Sequence, residues 1–380
     1  MKIYDLIVIG AGSAGVFAAK IACEHGLTTL ILDKGRSLKD RRDPACGWFG
    51  HGLNAMGRIE ADESSGTDEV LELCQRANNN KIDIRHCDEE TVSSRRFLSG
   101  KWYEFRPTIG RELAVQFYKS IAPTADLLFD TEAKKVIKTD LGFSVQTTRG
   151  RFTTKRCLIA VGSKSAEWIV GVGKELGLTT EDPSVRLGVR VEVPARMLKP
   201  MLSERGSIRI EHAGVLSDDV CPNGFVGEWE DFKLISAFGH RAAGKRSDRT
   251  SFMLSVSASE GMDESLRVAR ILNVLSNDKL RRERAFDLVH GRSVLQHFDQ
   301  FDSIVEGLMD WGRLIPRFVE SATIHVPELR VEGALPADDN MRTTCSGLYG
   351  AGQCVSQVKT LLGAMASGLT AARSIVEDEE

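Results

Sequence analysis

Three glycines, Gly10, Gly12 and Gly15, fall within Gly10-Ala11-Gly12-Ser13-Ala14-Gly15, the spacing of a turn that cradles phosphates between a strand and a helix. Each has a separate mechanical task. Gly10 permits the tight turn, Gly12 lets backbone approach a pyrophosphate, and Gly15 lets the helix pack closely on the strand. Phosphates placed there meet the unpaired N–H groups and positive dipole end of the helix. Asp33 follows Gly15 by 18 residues, near the spacing of about 20 expected of an acid that binds ribose hydroxyls and repels a 2′-phosphate. The plainer alternative is a glycine turn of some other α/β protein, with Asp33 a surface acid. Strand, helix, second strand and acid in one register favour the dinucleotide.

Other residues carry weaker chemistry. Cys46 and His51 flank Trp48-Phe49-Gly50 in a glycine-rich stretch. A thiol there can pair with or add to a redox cofactor, and an imidazole can shuttle protons near neutral pH. The simpler expectation is a small buried side chain and a backbone-tethering histidine. No second cysteine lies four or five residues from Cys46, which argues against a disulfide reductase. Arg190 and Glu192 alternate with Val189, Val191 and Val193, so a period of two sets both on one strand face. There they bind a substrate anion or, more simply, form an ion pair covering the sheet. Cys221 opens the turn-like Cys221-Pro222-Asn223-Gly224. His212, His240, His290 and His297 have no metal-ligand spacing. Gly171-Val172-Gly173, with Gly177 beyond, sits in an amphipathic helical pattern with no strand before it. It is therefore not expected to be a second dinucleotide site, and a nicotinamide cofactor would approach only transiently.

Residues 3–9 form an apolar, β-branched run that predicts a buried strand. A helix is expected from about Ser13 to His25, ended by Gly26, and a second strand over Leu27–Leu32. The crossover makes these strands parallel. Residues 35–66 read as a long functional loop, followed by a helix at Thr67–Asn78, a strand near Ile82–Cys87 and a helix over Gly110–Ala122. An antiparallel series is expected at Asp126–Phe129, Glu132–Thr139, Phe143–Thr148 and Arg151–Thr154. A separate strand at Cys157–Val161 and a helix at Lys164–Gly177 come next. Strands at Leu187–Val193, Ser207–His212 and Lys233–Phe238 with helices at Glu264–Leu275 and Leu280–His290 suggest a second sheet. The chain then returns to its opening pattern, with a strand at Leu348-Tyr349-Gly350 and an alanine-rich helix over Thr360–Glu377.

The 380 residues suffice for a sizeable core, and a net charge of −3 gives no global case for nucleic acid or an anionic membrane surface. Eight cysteines lack any Cys-x-x-Cys pair, which disfavours a zinc ribbon or a disulfide framework and suggests reduced thiols in the cytoplasm. No stretch approaches the roughly 20 apolar residues of a membrane span.

Several motifs together resemble FAD proteins of the glutathione-reductase-like superfamily. Antiparallel inserts precede a strand that ends in Ala160-Val161-Gly162, similar to a signature found where chain passes FAD. Leu348-Tyr349-Gly350-Ala351-Gly352-Gln353, followed by a helix, resembles the second FAD signature, with Gln353 standing where an aspartate is expected. More narrowly, Gly10–Ala19, Asp33-Lys34-Gly35 with Lys39-Asp40-Arg41-Arg42, Gly47–Gly57, Leu187–Glu192 and Cys221–Gly224 resemble the uncharacterised FAD-dependent dehydrogenase family. The chain is expected to lack an additional N-terminal domain common there.

That resemblance implies an α/β fold: a Rossmann-type parallel-sheet FAD domain over 1–179 and 326–380, with an inserted α+β substrate domain over 180–325. It implies FAD held by Gly10, Gly12, Ser13, Ala14 and Gly15, with Asp33, Lys34 and Gly35 at the ribose and Gly50 in the flavin loop. Val136, Ala160, Val161, Gly162, Gly352 and Gln353 complete the cradle. Leu361, Leu362 and Gly363 bring a helix N-terminus to the reduced ring. The implied activity passes a hydride between a small organic substrate and flavin N5. Alternatives are a monooxygenase or oxidase, a flavin-holding redox sensor or assembly partner, and, as a minor case, an RNA-modifying enzyme that the net charge disfavours.

Overall fold

The computed structural model describes residues 2–37, 58–61, 66–78, 83–104, 119, 124–162, 165–179, 183–205, 207–240, 246–257, 261–331 and 333–379. Strand β1 (Ile3–Ile9) is buried along most of its length, as a central parallel strand must be. Helix α1 (Ser13–Glu24) follows the glycine turn, and β2 (Thr29–Leu32) lies parallel to β1. Asp126–Phe129, expected to begin an antiparallel series, instead forms β8 (Ala125–Leu128), the parallel partner of β2 at the sheet edge. Its apolar alternation is the same for either direction, so only the crossover sets its orientation.

Strands β9 (Ala133–Thr139) and β10 (Gly142–Thr147) make the antiparallel meander. The two strands expected at 151–154 and 157–161 are one continuous strand, β11 (Gly150–Ile159). Lys155 and Arg156, between the two expected strands, carry no turn chemistry. β11 pairs antiparallel with β10 through its first half and parallel with β1 through its second. After it come α3 (Ala166–Leu176), containing Gly171 and Gly173, and, far along the chain, β20 (Leu348–Gly350), parallel to β11. Helix α9 (Leu361–Glu377) packs beside α1, and both are buried nearly all round by small residues, as expected of helices wedged between layers.

The second sheet has the order β18-β19-β12-β17-β14-β13-β6-β5. Its centre is β12 (Val185–Pro194), paired antiparallel with β17 (Arg249–Ser257) and β19 (Thr323–Val331). β14 (Val215–Cys221) and β13 (Ile210–His212) extend it to β6 (Arg95–Phe97) and β5 (Glu90–Val92). This sheet thus draws strands from 90–97, before 180–325, and from 323–331, which runs past the end of that range. The expected helix at 280–290 is instead β18 (Arg281–Arg284) followed by the short α6 (Ala285–Val289). Pairing of Arg281 through Arg284 with β19 overrides the local helical pattern. One face of β12, with Val185, Leu187, Val189, Val191 and Val193, enters a core shared with α5 (Gly261–Val274) and α7 (Asp302–Leu314).

The hairpin β15 (Phe225–Asp231) and β16 (Leu234–His240) and a small sheet of β3 (Arg58–Ala61), β7 (Gly100–Glu104) and β4 (Asp83–Cys87) complete the described architecture. The helix expected at 67–78, α2 (Thr67–Asn78), is present. The helix expected over 110–122 lies outside the described residues, apart from Lys119. No helix among the described residues is long and apolar enough to cross a membrane.

Candidate functional site

The glycine turn is fastened from two sides. Asp33 accepts a hydrogen bond from Ala11 N (2.8 Å) and another from Gly35 N (2.7 Å), tying the end of β2 to the turn. Its carboxylate therefore organises the turn itself, a task the spacing alone does not reveal. Gly10 has φ +111, and a Cβ there would overlap the carbonyl oxygen of Ala160. A Cβ on Gly15 would overlap the carbonyl oxygen of Gly10 and press on Val8. Chain conformation and packing therefore demand glycine at both positions.

Gly12 is different. It has φ −77 and ψ −171, open to any residue, and no atom of the described residues lies within 4 Å of a Cβ built there. Gly12 is also the N-cap of α1, with no side-chain cap and no acidic residue in the first turn. Ser13 and Ala14 begin that turn. The described residues thus leave open space beside an uncapped helix N-terminus, whose N–H groups need an acceptor. An FAD pyrophosphate fits this cradle in charge and in hydrogen-bonding capacity.

Other expected residues converge on the same place. Ala160 N donates to Ile9 O (2.8 Å), and Ala351 N donates to Ile159 O (2.9 Å), so the ends of β1, β11 and β20 meet. Val161 and Gly162 follow directly. Gly352 N donates to Ser367 Oγ (2.8 Å) of α9, and a Cβ on Gly352 would approach Ala14 to 3.0 Å. Gln353 is exposed in a short helical turn, Gly352–Cys354. At the start of α9, Thr360 caps the helix by accepting from Gly363 N (3.0 Å). That leaves the N–H groups of Leu361 and Leu362, rather than that of Gly363, for a ligand. Lys34 lies beside the turn between Asp33 and Gly35. Val136 is fully buried in the core cluster with Ile7, Ile9, Leu30 and Leu32, so its side chain belongs to the meander's interior rather than to the turn. Cys46, Gly50 and His51 lie outside the described residues.

The second sheet resolves the two options for Arg190 and Glu192. Arg190 is wholly buried. Its Nη2 donates to Asp219 Oδ2 and Glu328 Oε1, both at 2.6 Å, and its Nη1 donates to the Asp219 carbonyl (2.7 Å). Glu192 instead faces His325 (3.5 Å) and Arg249 (3.7 Å). Arg186 donates to Asp218 (3.0 Å), and Arg330 lies 3.4 Å from Asp218 and 3.2 Å from Asp219. The result is an ion network across β12, β14 and β19. Asp219 and Glu328 gave no sequence signal, because only strand pairing carries them to Arg190. Cys221 ends β14 at a turn in which Asn223 (φ 52) holds Ser247 O through Nδ2 (3.0 Å).

Burial pushes the Glu328 carboxyl up to about 7, against the pull of Arg190 and with Asp219 adding to the rise. The folded protein then holds a proton that the unfolded chain releases near the ordinary value of 4.5. Stability from this group is therefore present below about pH 4.5 and lost as pH rises to about 7, a change of roughly 2–3 kcal/mol. Glu328→Gln should remove that component. Chemical unfolding of both proteins from about pH 4.5 to 7.5 checks this, and parallel pH profiles would count against it.

No family model matches the chain. Over 38 residues it is 53% identical to digeranylgeranylglycerophospholipid reductase of Methanosarcina acetivorans, a match covering 10% of this chain and 9% of that protein. It superposes on glycine oxidase from Geobacillus kaustophilus with TM-score 0.48 at 15% identity, covering 100% of this chain and 96% of that one. It superposes on a geranylgeranyl bacteriochlorophyll reductase-like protein from Thermoplasma acidophilum with TM-score 0.50 at 13% identity, covering 100% of this chain and 79% of that one. The Rossmann-type parallel sheet carrying a meander, joined to a second antiparallel sheet, is thus an α/β fold shared with the Thermoplasma protein.

Proposed function

We propose that the chain binds FAD with its pyrophosphate at the glycine turn and acts as an FAD-dependent oxidoreductase, passing a hydride between a small organic substrate and flavin N5. One observation carries this: glycine at position 12, where no packing among the described residues demands it, opens space at the uncapped N-terminus of α1. The reductase and oxidase names of the similar proteins support the same class. Bound FAD would supply the two-electron chemistry, and this chain would supply binding, orientation and exclusion of water. Gly10, Gly12, Ser13, Ala14 and Gly15 would cradle the phosphates, with Asp33 at the ribose. Gly352, Gln353 and the first N–H groups of α9 would lie along the rest of the cofactor.

We assign the dinucleotide unit to 1–179 and 326–380 and the substrate unit to 180–325. Because β19 runs unbroken to Val331 within the second sheet, the return crossing is better drawn just after that residue. A small-molecule substrate and a transient nicotinamide donor suit this arrangement. The free cysteines among the described residues suit the reducing cytoplasm. Purified protein incubated with FAD and desalted should carry flavin absorbance bands that bleach under anaerobic reduction. Protein without such bands after that incubation would overturn the proposal.

A further inference from the structure

Away from the glycine turn, three elements distant in sequence bring a hydroxyl, an imidazole and a carboxylate into line. Ser94 Oγ lies 3.1 Å from His212 Nε2. His212 Nδ1 lies 3.3 Å from Asp310 Oδ2. Ser94 sits in the hairpin turn between β5 and β6, His212 ends β13, and Asp310 lies on α7. Pairing of β6 with β13 sets the first two side by side.

Each group is placed for its task. Asp310 is buried, and Arg95 fixes it by donating from Nε to Oδ2 (2.6 Å) and from Nη2 to Oδ1. A carboxylate only accepts hydrogen bonds, so an imidazole with its proton on Nδ1, facing Asp310, would turn the Nε2 lone pair toward the serine. Ser94 is exposed, while the His212 side chain is 28% exposed and that of Asp310 is 7% exposed. The nucleophile is thus open, the base half-covered and the orienting acid dry, as a nucleophile activated by an adjacent base requires.

The turn adds an independent sign. Ser93 and Ser94 have φ 49 and φ 66, both left-handed, at positions that normally take glycine or asparagine. Backbone held in that region by non-glycine residues costs about 1–3 kcal/mol each, and such residues cluster at functional sites. Within this turn the Ser94 hydroxyl has two acceptors in reach, Ser93 O at 2.5 Å and His212 Nε2 at 3.1 Å.

We propose that Ser94, His212 and Asp310 form a nucleophilic relay that takes the acyl group of a small activated carboxylic ester onto Ser94 and delivers it to water. Ser94 Oγ forms a bond to the ester carbonyl carbon while its proton passes to His212 Nε2. The ester C–O bond then breaks, and the leaving alkoxide takes that proton and departs as an alcohol. Water next attacks the acyl-serine, giving its proton to His212, and His212 returns a proton to Ser94 as the carboxylic acid leaves. No net oxidation occurs, so this activity is separate from the proposed flavin chemistry. The open turn, with Val92 47% exposed beside it, suits a small acyl donor rather than a long chain held in a tunnel.

The full-length protein is treated with a fluorophosphonate probe and, separately, with p-nitrophenyl acetate, and flavin content and unfolding midpoint are followed in parallel. The expected result is an adduct on Ser94 found by mass spectrometry and ester hydrolysis above the buffer rate. Ser94→Ala and the strain-relieving Ser94→Gly should abolish the adduct with flavin content unchanged. His212→Gln should slow adduct formation by about 100-fold or more. An unlabelled Ser94, labelling confined to other residues, or equal labelling rates in wild type and His212→Gln overturns the relay. A protein that labels at Ser94 yet holds no flavin would refute the FAD assignment and leave the relay standing.

Discussion

Replacing Gly12 with leucine is expected to abolish FAD retention while leaving the fold intact. The backbone at Gly12 is extended with negative φ, so leucine needs no conformational change, and no atom of the described residues opposes its Cβ. Removing a glycine also reduces the freedom of the unfolded chain, so the ligand-free variant should unfold at the same midpoint or a higher one. What leucine does fill is the space beside the free N–H groups of α1. A pyrophosphate displaced by even a few ångströms loses both those hydrogen bonds and the favourable helix dipole. The affinity for FAD should fall by about 1,000-fold or more, equivalent to roughly 4 kcal/mol. Flavin fluorescence titration measures the affinity, and circular dichroism with thermal unfolding confirms the fold. Gly15→Leu provides the contrast, because its side chain would meet Gly10 backbone and Val8; that variant should fail to fold. A Gly12→Leu protein that binds FAD within ten-fold of wild type would mean the turn holds something else.

The contrast between Gly12 and Gly15 also marks what local sequence conveys. β1, α1, β2 and α2 were legible because each is set by a short-range signal: an apolar run, a glycine stop or a 3.6-residue period. The direction of β8 and the continuity of β11 were not, since strand direction and merging depend on partners elsewhere in the chain. The glycine turn proposed to hold the cofactor was legible for the same reason as α1, because its residues lie within one short stretch of sequence. Asp33 was placed by its spacing, yet its grip on Ala11 N appears only in three dimensions. The second sheet hid most. Arg190 stood out by alternation, but Glu328 lies 138 residues away and Asp219 lies in a bulged strand, so no spacing rule joins them. Ser94, His212 and Asp310 are likewise brought together only by hairpin, strand pairing and helix packing.

Removing the Arg190 cation should therefore have a large structural cost. Arg190→Met keeps much of the buried volume but leaves Glu328 and Asp219 without their shared donor. The Oε2 atom of Glu328 already has no hydrogen-bond partner among the described residues. Breaking a buried pair from one side typically costs about 3–5 kcal/mol, because the remaining charge stays desolvated. The loss should be greatest above about pH 7, where Glu328 must ionise, and smaller in acid, where it is neutral. Arg190→Met combined with Glu328→Met should recover much of the loss, since both charges go and the site becomes apolar. A double-mutant cycle by chemical denaturation reads the coupling directly. If the single substitution costs less than about 1 kcal/mol, or if the two effects simply add, the network is not the ionic centre of the second sheet. A large coupling would instead show that this sheet is held by charge at its centre as well as by its apolar face, so that Arg190 is committed to the fold rather than free to bind a substrate anion.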